Sequence, residues 1–226
     1  MKFFLLAFIA VASFIPAFAQ KPKARPKPTP SGVAVQSAVD KGSVSGRTYT
    51  NKTFGFDVTF PETWLIPGDD FEAYMKKQGF DLSLKAPDSL APVERTKVNR
   101  ALERVTILLT AYRSMPGMSD NAIVRISVED LSMNPQIKDA VDYFDAMRST
   151  FQAMKLPVNV QYSETQAEKL GKQQFGFLDT SGPDGKKRMY ATVRGDYAIL
   201  FTLSYSKSED LAAFRDVLAA GNFSLR

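Results

Sequence analysis

The sequence contains no cysteine and no histidine in 226 residues. Without cysteine there is no disulfide framework, thiol nucleophile, zinc ribbon, iron–sulfur cluster or lipidated-cysteine anchor. Without histidine there is no Ser-His-Asp triad, no imidazole base and no HExxH zinc site. The glycine-rich phosphate loops GxxxxGK[ST] and GxGxxG are missing as well, and Ser206-Lys207 lacks the SxxK spacing. Most catalytic and metal-site chemistry is therefore closed to this chain, and neither a cofactor nor a metal is expected.

An apolar content of 44% with 12% aromatics belongs to a folded protein rather than a disordered one. The first residues have a different character. Met1-Lys2 is followed by the apolar run Phe3–Ile15, the helix breaker Pro16 and the small-x-small triplet Ala17-Phe18-Ala19. This is the layout of a secretory signal peptide, with Ala17 and Ala19 marking cleavage after Ala19. The uncharged stretch 3–19 falls short of the ~20 apolar residues of a spanning helix. No second long apolar run follows, so no stable membrane span is expected after cleavage. The expected location is exported, in the periplasm or outside the cell.

Residues 20–46 interleave Lys21, Lys23, Arg25 and Lys27 with Pro22, Pro26, Pro28 and Pro30, then turn to small and polar residues. Proline fixes φ and removes donors, so this stretch reads as an extended, semi-rigid and otherwise disordered linker. It also explains the charge. The formal +5 is carried by Lys2, Lys21, Lys23, Arg25, Lys27 and Lys41 against Asp40, leaving residues 47–226 neutral with 23 basic and 23 acidic side chains. A neutral body lacks the phosphate attraction that drives nucleic-acid binding, so no nucleic-acid partner is expected.

Residues 47–226 read as one domain. Phe54, Phe56, Val58 and Phe60 alternate with smaller and polar residues, predicting a half-buried strand over 47–60 that Pro61 ends. Trp64 is expected in the core with its N–H bonded to backbone. A short helix over 69–77, a weak strand over 80–84 and a helix over 88–104 follow. Next come an antiparallel hairpin (105–112 and 122–129) and a helix begun by Asn134-Pro135 with Ile137, Val141, Phe144, Met147 and Phe151 on one stripe. Strands are predicted at 162–169, 173–180, 187–194 and 197–205, with a capping box Ser206…Glu209 before a last helix that Gly221 ends. Hairpins and helices in mixed order indicate an α+β fold, an antiparallel sheet covered by helices.

Two stretches carry a family resemblance: Tyr49…Phe54-Gly-Phe56…Phe60-Pro61…Trp64, and Gly171…Phe175-Gly-Phe-Leu178 with Tyr190, Tyr197–Ser204 and a final helix ending in Asn-Phe. Together they resemble the superfamily that joins the PsbP subunit of photosystem II with the Ran-release factor Mog. The resemblance spans roughly 47–226. It implies an α/β/α sandwich around an antiparallel sheet and a binding or assembly role without catalysis. The leader departs from a nuclear Ran partner, and the absence of histidine removes histidine metal ligands. No functional residue carries over.

Candidate residues are few. Lys97, Arg100 and Arg104 share a helical face that could bind phosphate or an acidic partner, but is more often a solvated face, here diluted by Glu94 and Glu103. Asp69-Asp70 is an acid pair better read as helix-start charges, and Asp142/Asp145, one turn apart, as a solvated face of the long helix. Asp179, Asp184 and Asp196 flank turns without the spacing of a calcium loop. Lys186-Lys187-Arg188 could meet an anionic partner or blunt an edge strand. Asn51-Lys-Thr53 and Asn222-Phe-Ser224 are sequons that matter only in a eukaryotic secretory pathway. No catalytic and no metal residue is assigned. The expected function is an exported, non-enzymatic binding or assembly module whose partner is another envelope or secreted protein. A His-free hydrolase using two carboxylates and a carrier of an apolar small molecule are the alternatives; the first requires two acids converging about 5–10 Å apart.

Overall fold

A computed structural model describes residues 39–68, 70–86, 90–118, 120–154, 159–182 and 185–224. The expected leader and most of the linker lie outside the described residues. The chain forms two antiparallel sheets and four helices. Strands β1 (Ser43–Ser45), β2 (Thr48–Asn51) and β3 (Phe56–Thr59) make a small sheet in that order. After helices α1 (Phe71–Lys77) and α2 (Pro92–Leu102) come β4 (Val105–Tyr112), β5 (Ile123–Asp130) and helix α3 (Ala140–Ala153). Strands β6 (Gln161–Tyr162), β7 (Gln166–Leu170), β8 (Gln173–Gly182), β9 (Gly185–Arg194) and β10 (Tyr197–Tyr205) precede helix α4 (Ser208–Ala220). The large sheet runs β4-β5-β10-β9-β8-β6, with β7 also paired to β8. This is the expected α+β fold, with helices on both faces of an antiparallel sheet.

Strand alternation divides the core. Val124, Ile126 and Val128 of β5, Ile199, Phe201 and Leu203 of β10, and Phe175, Phe177 and Tyr190 turn to one face. There they pack with the small sheet and with Phe214, Val217 and Leu218 of α4. Leu178, Met189, Ala191, Ala198 and Leu200 turn to the other face, under Tyr143, Phe144, Met147 and Phe151 of α3. Beside α3 on that second face, α1 and α2 bring smaller clusters around Met75 and Leu82 and around Val98, Ala101 and Leu102. Gly176 lets α3 close on β8, since a Cβ there would come within 2.8 Å of Ala140 Cβ.

Several expectations are corrected. The alternating stretch 47–60 is a hairpin, not one strand. Asn51 is buried, and its Oδ1 accepts the Phe54 amide at 2.8 Å, while Gly55 takes φ 67° to turn the chain. Residues 80–84 form no strand: Asp81 accepts both the amide and the hydroxyl of Ser83, and the Leu82 carbonyl is taken by the Arg125 side chain at 2.9 Å. Helix α3 begins at Ala140, not at Pro135, because Asp139 is the residue whose carboxylate accepts from the amides of Val141 and Asp142. The Ser206…Glu209 capping box does not form, since Lys207 is the N-cap of α4 and no side chain caps it. Trp64 is buried as expected, but its Nε1 has no hydrogen-bond partner among the described residues.

The end of the expected linker belongs to the folded body. Ser43–Ser45 pair with Thr48–Thr50, and Val39 packs on the core. Tyr49 donates its hydroxyl to the Lys41 carbonyl at 2.7 Å, and Asn51 Nδ2 donates to the Asp40 carbonyl at 2.9 Å. Two polar side chains of β2 thus draw in residues that lack apolar bulk of their own.

Candidate functional site

The alternation that sends Val124, Ile126 and Val128 into one core sends Arg125, Ser127 and Glu129 to the opposite face of β5. A lone sheet would leave those three in water. Here α1, α2 and α3 cover them, and all three are buried. This polar strip beneath the helical layer holds the most unusual chemistry of the described residues.

Glu129 is wholly buried, with 0% of its surface exposed. Tyr143 of α3 donates its hydroxyl to Oε2 at 2.7 Å. Arg104, just past the end of α2, donates from Nη2 to Oε1 at 3.2 Å. Burial pushes the carboxyl up to about 7, against the pull of the Tyr143 hydrogen bond and the Arg104 charge. Burial and the neighbouring carboxylate drive the Tyr143 hydroxyl far above its ordinary value, so it keeps its proton and donates it to Glu129. The constellation fastens β5, α3 and the end of α2 together, and it can hold or release one proton.

Four residues along the strand, Arg125 is buried without a carboxylate. Its Nη2 donates to the Leu82 carbonyl, its Nε has no partner, and it forms no ion pair among the described residues. Burial lowers its pKa, while Tyr112 and Glu72 of α1 oppose this only at a distance.

The sequence-predicted binding residues are not brought together. Lys97 and Arg100 lie exposed on α2, with Lys97 3.6 Å from Glu94. Arg104 stands beyond the helix and turns inward to Glu129. Lys186-Lys187-Arg188 does not blunt an edge, because β9 lies between β8 and β10. Arg188 grips Asp179 through two hydrogen bonds of 2.7 and 2.6 Å and lies over the Phe177 ring, and Lys187 is buried. Asp142 and Asp145 accept local bonds around α3. Asp69 and Asp184 lie outside the described residues. The Asn51 sequon is unusable in the folded chain, since the Asn51 amide is buried and bonded on both atoms. The other buried carboxylate among the described residues, Asp210, sits in the first turn of α4, 3.5 Å from Arg113. Burial raises its pKa, partly offset by Arg113. Since α4 covers the face opposite to α3, the sheet separates Asp210 from Glu129. No group of three or more metal-ligating side chains occurs among the described residues.

Sequence reasoning missed Arg125, Glu129 and Tyr143. Arg125 and Glu129 sit on the polar side of an alternating strand, where solvent is the ordinary expectation. The signal that could have flagged them is Tyr143, which lies next to the apolar stripe of α3 and so faces the sheet.

No family model matches the chain, and no curated protein matches it. Solved structures with a similar fold include the solution structure of a cyanobacterial PsbP protein, CyanoP, from Synechocystis. It is 13% identical with a TM-score of 0.41, over 79% of this chain and 95% of that one. The crystal structure of LpqN, involved in cell envelope biogenesis of Mycobacterium tuberculosis, is 12% identical with a TM-score of 0.40, over 82% and 86% of the two chains. A Bacteroides thetaiotaomicron crystal structure is 11% identical with a TM-score of 0.37, and this chain spans about half of it, 48%.

Proposed function

We propose that the chain is an exported, non-enzymatic binding or assembly module of the cell envelope, cleaved after Ala19 and held by its Pro/Lys-rich spacer. The observation that carries this reading is the separation of the buried acids. Glu129 is closed off by Tyr143 and Arg104, and Asp210 lies across the sheet against Arg113. A carboxylate hydrolase needs two acids around one substrate bond, and the two buried acids of the described residues do not meet. The neutral charge of residues 47–226 supports a protein partner rather than nucleic acid.

Lys97 and Arg100 form the contact surface offered to an acidic partner, while Arg104 is engaged with Glu129. The test is crosslinking of the full chain in its own envelope, beside the double variant Lys97→Glu/Arg100→Glu. A specific crosslinked protein that is lost in the double variant is the expected result; no specific adduct, or one indifferent to the variant, overturns the assignment. A mature protein beginning at Gln20 by mass is expected of the export step.

A further inference from the structure

We propose that the connection between β4 and β5 is a binding site for a soft monovalent metal ion, Cu(I) or its analogue Ag(I), held by the thioether sulfurs of Met115 and Met118. This goes beyond the binding-module reading and does not depend on it.

A chain without cysteine and histidine has one kind of soft donor left, the thioether of its 8 methionines. Met75, Met147 and Met189 are buried, where the sulfur serves as apolar filling. Met154 packs against the cluster of α2. Among the described residues, Met115, Met118 and Met133 are the exposed methionines, at 46%, 63% and 79%. Met133 stands by itself after β5. Met115 and Met118 share one turn.

The Met118 amide donates to the Met115 carbonyl at 3.3 Å, and Gly117 between them takes φ 98°. Proline followed by a positive-φ glycine is the sequence of a type II turn, whose first and last Cα atoms lie less than about 7 Å apart. Pro116 and Gly117 are what the turn requires. It demands no thioether at its first or last position, and side chains this exposed add little to the core. Two flexible thioethers on one turn can, however, close on a single ion. The backbone beneath them is already held. The Ser114 amide donates to Asn121 Oδ1 at 2.9 Å, and the Arg113 amide to the Ala122 carbonyl at 2.8 Å. Gly117 lies against the Phe80 ring, where a Cβ would come within 2.9 Å of Cζ, and Phe80 packs on Met75, Leu82, Tyr112 and Ile123. Binding therefore has two side chains to order rather than a loop.

Neutral thioethers select Cu(I) over the harder divalent ions, which take oxygen or imidazole ligands. The carboxylate nearest in sequence, Asp120, is engaged by Lys207 at 3.1 Å. Ag(I) shares the charge and softness of Cu(I) and is stable in air, so it serves as the direct probe.

The test uses the full mature chain with its methionine methyl groups labelled with carbon-13. Ag(I) is titrated as the nitrate in chloride-free buffer. Cu(I) is titrated without oxygen, under ascorbate, against the chelator bicinchoninate, and Zn(II) is the comparison ion. One equivalent of Ag(I) or Cu(I) should bind and shift the methyl signals of Met115 and Met118 while leaving that of Met133 in place. Met115→Leu and Met118→Leu keep an apolar side chain on an exposed turn, so both should fold. Each should weaken binding by about tenfold or more through loss of one of the two ligands, and Met133→Leu should bind as the parent does. No binding of either ion, equal binding of Zn(II), shifts at Met133 as large as those at the pair, or undiminished binding in both single variants overturns the proposal.

Discussion

Tyr143 donates its hydroxyl to Glu129 across 2.7 Å, fastening α3 to β5, beside the edge strand of the large sheet, through a carboxyl that touches no solvent. Removing the donor in Tyr143→Phe leaves one carboxylate oxygen buried and unbonded. A loss of about 1–3 kcal/mol is expected in denaturant unfolding near neutral pH. A change within error would show that the bond contributes nothing to the fold.

The same carboxyl makes stability depend on pH. Its folded value is about 7, above the ordinary value of 4.5. Below the lower value both folded and unfolded chains hold the proton. Between the two values only the folded chain does, so stability falls as pH rises, and the fall is complete once the folded value is passed. Its size is on the order of 3 kcal/mol. Glu129→Gln should remove this slope between pH 5 and 7.5, and Tyr143→Phe should move the end of the slope upward. An unchanged slope in Glu129→Gln would assign the pH dependence to other groups.

Residues 39–46 should behave as part of the domain. A chain shortened to begin at Arg47 loses β1 and frees the Tyr49 hydroxyl and the Asn51 amide from their carbonyls. It should melt several degrees below a chain beginning at Val39, about 1–3 kcal/mol less stable. Equal melting would return these residues to the linker.

Gly171→Ala should loosen α4. Gly171 has φ 58°, and a Cβ there would run into the Ala219 carbonyl oxygen at the end of α4. Left-handed strain and the collision together should cost about 2–4 kcal/mol. Hydrogen exchange should quicken in α4 before it does in α3. Uniform quickening would show that the two helical layers open as one.

The sequence showed most elements plainly because apolar periodicity there coincides with burial. Strands β4, β5, β9 and β10 and helices α2 and α4 stand where alternation or a 3.6-residue stripe puts them. The misses share a cause: a polar side chain decided the local structure. Asn51 split an apparent strand into a hairpin, Asp139 rather than Asn134 started α3, and Arg125 claimed the carbonyl of Leu82. The polar strip on β5 was invisible for the same reason, since alternation identifies which residues share a side but not which sides will be covered. The Lys97–Arg100–Arg104 stripe dissolved because α2 ends at Leu102, leaving Arg104 to a buried acid.

The two ends of the described domain are sewn together. Asp57 and Asn222 exchange backbone bonds of 2.8 and 3.0 Å. Arg194, in the large sheet, holds the carbonyls of Phe54 and Gly55 at 2.5 and 2.7 Å and also that of Phe223. Force entering at residue 39 meets β1 and its pairing with β2 before it reaches this latch, which ties the turn after β2 to residues 222–223. The turn after β2 and the last described residues thus answer to one guanidinium, and losing it would release both at once.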